Sequence, residues 1–285
     1  MSTRSPDSNE KGSIFASREV AEQWHRGKVY RAEISGAANE MMLDLADLRA
    51  GDRVLDVAAG TGDQTLMAAQ RVGPTGYVLA IDLSASMLKI ADEALRNAGL
   101  TNVETRVLDA EKIDLDPDSF DAVICRMGLM LFSNPVKALI GMRRVVKPTG
   151  KVVAVVLSIE EKNQYLAIPL AIVRRLGRIP SPTQGDRGTF ALGGPGVLED
   201  AYRRAGFLDV AVHAVSIRRR FQSVAEAVRA MKDFFSPFFL QELMAKLGDA
   251  ERELAWAEIE WQLGQFKSPD GLEVPGEALI AVGTK

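Results

Sequence analysis

The run Val54-Leu55-Asp56-Val57-Ala58-Ala59-Gly60-Thr61-Gly62-Asp63 holds the residues of this chain best placed for chemistry. An apolar strand pattern ends there in a glycine turn, and Leu66, Met67 and Ala69 follow at helical spacing. Glycines let the main chain bend sharply and let a ligand approach without a Cβ in the way, beside a helix N-terminus whose free N–H groups favour negative charge. The pattern predicts a nucleotide-like ligand, with an ordinary strand-to-helix turn as the plainer alternative. Asp82 stands 20 residues beyond Gly62 at the end of the next apolar run, where a carboxylate accepts hydrogen bonds from a ribose diol. Asp109-Ala110-Glu111 ends a third run and is placed to accept from an adenine amino group. Acidic positions at the carboxyl ends of successive parallel strands line one crevice, where ligands of open α/β sheets bind. Asp63, Gln64 and Thr65 follow Gly62, so the third glycine of a dinucleotide fingerprint is missing and Asp63 would repel a pyrophosphate. An acid-rich crevice of this kind suits a cationic adenosyl ligand, with a nicotinamide-dependent oxidoreductase as the weaker reading.

The elements that must hold these residues are legible as β-branched runs alternating with helical periods between Arg53 and Ser158, the pattern of a parallel sheet wrapped by helices. Strands are predicted at Arg53 to Ala58, Tyr77 to Asp82, Val103 to Leu108, Phe120 to Cys125 and Lys151 to Leu157. Met87, Ile90, Ala91, Ala94 and Leu95 repeat at helical spacing behind a Ser84 cap, with Gly99 as the stop. A second helix starts at Pro135 and stops at Lys147-Pro148. Later come an apolar helix near Asn163 to Leu176, a Gly- and Pro-rich loop, a helix from Val197 to Ala205 and a strand from Val210 to Ile217. Val224 to Gln265 is helical in composition and rich in aromatic residues, and Ala278 to Gly283 reads as a closing strand. The expected fold is α/β: a Rossmann-like, doubly wound sheet, mostly parallel with a final antiparallel strand, plus helical cap insertions. Its expected divisions are a disordered tail (1–12), an N-terminal helical lid (13–48), the cofactor-binding core (49–158), a cap insertion (159–195), a core continuation (196–221), a helical cap insertion (222–272) and a final core strand (273–285).

Val54 to Asp63, Ala80-Ile81-Asp82-Leu83-Ser84 with Met87-Leu88, Asp109-Ala110-Glu111, Phe120-Asp121-Ala122-Val123 and Met142-Arg143-Arg144-Val145-Val146-Lys147-Pro148 follow one another in an order that resembles class I S-adenosylmethionine-dependent methyltransferases. The branch they are most similar to is the ubiquinone/menaquinone C-methyltransferase group and its small-molecule relatives. The resemblance covers about residues 40 to 158. It implies S-adenosyl-L-methionine as cofactor, with Asp56, Ala58, Gly60 and Gly62 around the methionine part, Asp82 at the ribose, and Asp109 and Ala110 at the adenine. Leu83, Met87, Glu111, Arg126 and Met127 complete the implied cofactor site. Two positions depart from the family pattern: Ala58 replaces a frequent glycine, and Thr149 stands where Lys-Pro-Gly-Gly is usual.

The expected reaction is methyl transfer to carbon or oxygen of a small, fairly apolar metabolite. A catalytically inactive binding or scaffold protein of the same fold is the alternative from another class. Cys125-Arg126-Met127-Gly128 lacks the Asn-Pro-Pro-Tyr type of tetrad of amino-methyltransferases, and a net charge of −3 gives no field to gather nucleic acid. One cysteine and two histidines leave little for a metal site, and none is expected. Cys125 lies in an apolar run and reads as a buried structural thiol, and His213 reads as structural. His25, near Trp24 and Tyr30, is the weak candidate for a general base. Asp114, Asp116 and Asp118 read as a solvated loop, and Arg218-Arg219-Arg220 as a charged strand end. With no apolar leader in Met1 to Gly12 and no long apolar span, a soluble cytoplasmic protein is expected, its oligomeric state open.

Overall fold

The computed structural model describes residues 17–182, 186–235 and 239–285. The polar tail 1–12, Phe15 and Phe238 lie outside the described residues, as do the side chains of Phe234, Phe235 and Phe239.

The chain begins with two helices, α1 (Arg18–Arg26) and α2 (Lys28–Leu45). Then strands and helices alternate: β1 (Arg53–Val57), α3 (Asp63–Val72), β2 (Tyr77–Asp82), α4 (Ala85–Asn97), β3 (Val103–Val107), β4 (Phe120–Arg126), α5 (Pro135–Val145) and β5 (Val146–Leu157). The remainder is α6 (Gln164–Leu176), α7 (Val197–Arg204), β6 (Leu208–Phe221), α8 (Val224–Ala230), α9 (Phe239–Met244), α10 (Asp249–Leu263), β7 (Lys267–Ser268) and β8 (Gly271–Thr284).

The sheet order is β3-β2-β1-β4-β5-β8-β6, with β7 paired to β8. β1 to β5 are parallel, and β8 runs antiparallel to both β5 and β6. Strand order reverses between β1 and β4, and such a switch point opens a crevice at the carboxyl ends. β1, β2 and β4 are buried on both faces, which is why they read as continuous apolar runs.

The helices start and stop where side-chain chemistry dictates. Ser84 Oγ accepts from Met87 N at 3.2 Å, and α4 buries Met87, Leu88, Ala91 and Leu95 before Gly99 turns the chain at φ +74°. Asn134 Oδ1 accepts from Lys137 N at 2.9 Å, and Pro135 opens α5.

Two large apolar clusters divide the labour among the described residues, beside a small one of Ala59, Ala80 and Leu88. One surrounds the sheet; the other joins α6, α8 and α10 to Phe221, Leu272 and Val274. The second exists because β6 and β8 are longer than their apolar runs predict. β5 ends with Leu157 opposite Ala278, but β6 and β8 go on pairing from Ser216↔Glu277 to Phe221↔Leu272. Their ribbon therefore projects past the carboxyl end of β5, and the cap helices pack on it.

Several expected boundaries shift. The closing strand starts at Gly271 instead of Ala278, and the late strand runs on to Phe221, because alternation of charged and apolar residues along β6 masks its length. β5 starts at Val146 instead of Lys151, since the chain passes from α5 into extended backbone before the Lys147-Pro148 stop. The stretch 224–265, helical in composition, folds among the described residues as α8, a π turn, α9 and α10.

Candidate functional site

β1 delivers the chain to the carboxyl edge, and the turn from Ala58 to Gly62 returns it into α3. Ala58, Gly60 and Gly62 all have positive φ, at +57°, +57° and +84°. A Cβ on Gly62 would stand 3.0 Å from the Ala91 Cβ, so glycine there is set by close packing as well as by backbone conformation. Ala58 carries its methyl group in the left-handed region, at a cost of ~1 to 2 kcal/mol. Its space is provided by Gly128, where a Cβ would fall 2.5 Å from that of Ala58. Thr149, the other departure from the family pattern, also has positive φ, at +65°, a conformation glycine adopts without strain.

Asp82 ends β2 beside this turn. Its Oδ2 accepts from Gly60 N and its Oδ1 from Ser84 N, both at 2.9 Å, so one carboxylate ties the glycine turn to the cap of α4. Burial raises its pKa, opposed by the backbone N–H groups of Ser84, Gly60 and Leu83. Leu108 N donates to Asp82 O, which brings the start of Asp109-Ala110-Glu111 alongside. Asp109 Oδ1 accepts from Glu111 N at 2.9 Å, and Glu111 Oε1 accepts from Ser133 N at 2.7 Å across the crevice edge. Leu83 is half-buried beside Asp82, and Met87 is buried in the first turn of α4.

Asp56 differs from the other acids in having no access to the crevice. It is fully buried beneath the turn, accepting from Thr65 Oγ1 at 2.5 Å and Gln64 Nε2 at 3.2 Å. Burial pushes its pKa up to about 7 against those hydrogen bonds. Through Gln64 and Thr65, Asp56 ties β1 to the first turn of α3. Arg126 ends β4 and donates from Nε and Nη2 to Gln64 Oε1 at 3.2 and 3.1 Å, while Met127, at φ +56°, bends the chain away.

Sequence reasoning missed Arg31. It sits in α2, 5% exposed, and donates from Nε and Nη2 to Asp63 Oδ2 at 3.1 and 2.7 Å. Arg126 approaches the same oxygen at 3.6 Å. The start of α3 is thus occupied by a paired carboxylate, which leaves no seat for a pyrophosphate. Arg31 also donates to Trp24 O, and its guanidinium lies 4.2 Å from the centre of the Trp24 ring. Trp24 Nε1 in turn stands 3.7 Å from where a Gly60 Cβ would be. α1 and α2 therefore lie over the glycine turn. The available signal was the stripe Arg31, Ser35, Ala38, Asn39, Met42 and Leu43, all buried at helical spacing but half of it polar.

His25 lies in α1 with Nδ1 buried and no hydrogen-bond partner for it among the described residues. Burial, and Lys28 after it, lower its pKa below the ordinary value. The Cys125 thiol is fully buried and pushed up to about 12 by burial, which makes it inert as a nucleophile. His213 sits within β6 opposite Ile280, and Asp118 pairs with Lys285 at 2.6 Å. Among the described residues no helix is long and apolar enough to cross a membrane.

A doubly wound sheet with a glycine turn, an acid at the end of the next strand and a helical cover defines the architecture of a nucleotide-type binding fold. Residues 48–181 match the methyltransferase domain family. The ubiquinone/menaquinone biosynthesis C-methyltransferase UbiE of Pseudomonas aeruginosa (strain LESB58) is 35% identical over 142 residues, 48% of this chain and 56% of that protein. The protein of the same name from Pseudomonas fluorescens (strain Pf0-1) is 41% identical over 117 residues, 41% of this chain and 46% of that one. The chain thus spans about half the length of the curated relatives it matches. Among solved structures, a putative methyltransferase from Bacillus halodurans C-125 superposes with a TM-score of 0.58 at 20% identity, covering 87% of this chain and 99% of that one. Phosphoethanolamine N-methyltransferase 2 of Haemonchus contortus, in complex with phosphomonomethylethanolamine and S-adenosylhomocysteine, gives 0.59 at 19% identity over 95% of this chain and 60% of that one. At these identities the structural likeness is one of fold.

Proposed function

We propose that the chain transfers the methyl group of S-adenosylmethionine to carbon or oxygen of a small acceptor bound under the helical cap. The observation that carries this reading is the union of the Gly60-Thr61-Gly62 turn with the Asp82 carboxylate at 2.9 Å, at the switch point of the sheet. The donor set fits the cofactor: Asp82 and Asp109 offer carboxylate acceptors for hydroxyl and amino groups, and no phosphate seat competes. When bound, the cofactor supplies an activated methyl group on a sulfonium. The chain supplies position and dryness, which account for much of the acceleration of an in-line displacement. Arg31 holds α2 against Asp63, and Trp24 closes over the turn. His25, whose pKa burial lowers, is the group we assign to accept a proton from a hydroxyl or carbon acid.

The test is a screen of small acceptors, phenols, quinols and carboxylic acids among them, with S-adenosylmethionine labelled at the methyl group. Label is expected to pass to at least one, and S-adenosylhomocysteine to form in equal amount. Binding of the cofactor with no transfer to any acceptor class would favour the inactive binding protein instead.

A further inference from the structure

Arg218, Arg219 and Arg220 are alike in sequence, and the strand separates them. Arg218 and Arg220 point outward and pair with Glu273 at 3.0 and 2.9 Å. That is the charged strand end expected of the run. Arg219 points inward with Ile217 and Phe221 and is 4% exposed. Its Nε and Nη1 are buried without a hydrogen-bond partner, and no carboxylate of the described residues lies within ion-pair distance. What surrounds it is aromatic: its guanidinium lies 5.6 Å from the Tyr165 ring centre, and Phe221 bridges Tyr165 and Tyr30 at 5.2 and 5.3 Å. The Tyr165 hydroxyl donates to Ala227 O and that of Tyr30 to Arg220 O.

A buried cation without a counter-charge is expensive, and a fold keeps one where something else neutralises it. The chain also keeps room for it. Gly276 lies on the neighbouring strand, and a Cβ there would stand 2.5 Å from Arg219 Nη1. The location is the ribbon of β6 and β8 beyond the carboxyl end of β5, on the side where a methyl acceptor would enter. One helix joins the two places: Tyr30 of α2 touches the ribbon at Phe221, and the next residue, Arg31, reaches Asp63 of the glycine turn.

We infer that Arg219 anchors a carboxylate of the methyl acceptor, whose apolar or aryl body packs among Tyr30, Tyr165 and Phe221. The planar guanidinium matches a carboxylate in two parallel hydrogen bonds along either of two edges, Nε with Nη2 or Nη1 with Nη2, and the unpartnered Nε and Nη1 each supply one donor to an edge. Burial lowers the pKa of Arg219 to about 10, and the side chain is still a cation at neutral pH. Calling the ligand the acceptor rests on the methyltransferase reading; the carboxylate site itself does not.

Benzoate and its uncharged isostere benzamide test this by thermal shift and calorimetry on the full chain, with and without S-adenosylhomocysteine. Benzoate is expected to raise the Tm of the wild type and benzamide to leave it unchanged. Arg219→Met is expected to melt higher than wild type without ligand, because an uncompensated charge is gone, and to bind benzoate at least roughly thirtyfold more weakly. Arg219→Lys, which keeps the charge and loses the fork, serves if the first variant does not fold; its benzoate affinity is expected to fall at least roughly tenfold. Equal response to benzoate and benzamide, or benzoate binding that survives in the folded variant, overturns the inference. S-adenosylhomocysteine binding is read separately in the same runs, so its failure would strike the methyltransferase reading and leave the carboxylate comparison standing.

Discussion

Asp56 and Asp82 are carboxylates on neighbouring strands with different duties. Asp82 faces the crevice and is tied to two backbone N–H groups; Asp56 is sealed beneath the turn with a pKa of about 7. A carboxyl whose folded pKa is raised binds its proton more tightly when folded. Its contribution is fully present below the ordinary value of 3.8 and is lost as pH rises towards about 7. Asp56→Asn, which mimics the protonated form, should therefore gain on the wild type by a few kcal/mol over that window. Denaturant titrations of both proteins at a series of pH values check this, and a constant difference across the window would contradict it. The placement of the glycine turn, Asp82 and Asp109 at strand ends was legible because glycines and acids there interrupt apolar runs. The duty of Asp56 was not, because a strand pattern does not say that Gln64 and Thr65 reach back to it. Arg219 was hidden for a related reason: a charge run reads as exposed until the register of β6 assigns alternate residues to opposite faces.

At the scale of elements, α1 and α2 are the parts most exposed to gating. α1 is held by a Ser17 cap and buries only Ala21, so its own packing gives it little stability. Its hold on the glycine turn runs through Trp24 and Arg31. Hydrogen exchange with and without S-adenosylhomocysteine should show added protection in α1 and the first turns of α2 on binding. Equal protection in both states would make the pair fixed scaffold and remove the main support for His25 as a base. The helical cover was legible as aromatic residues ahead of the sheet, but its clamp was not. The long β6 and β8 escaped for a different reason. Pro275 and two glycines interrupt the strand pattern of β8, and they are tolerated where the ribbon has passed the end of β5 and one edge no longer needs a full ladder.

At the scale of the whole molecule, the sheet, its switch point and the cover converge on one place. The sequence predicted that convergence from the order of its motifs, whereas the second apolar cluster under the cap emerged only from the extended ribbon. The methyltransferase reading requires that this place hold an adenosyl sulfonium, and isothermal titration with S-adenosylmethionine and S-adenosylhomocysteine tests it most directly. Both are predicted to bind one site per chain with Kd below about 1 mM, which is more than ~4 kcal/mol of binding free energy. Asp82→Ala should weaken both by about 1.5 to 3 kcal/mol, the range of hydrogen bonds to a charged group, while the protein stays folded. No binding of either ligand to the folded wild type at that concentration would contradict the account, and full affinity in Asp82→Ala would contradict the place given to the ribose.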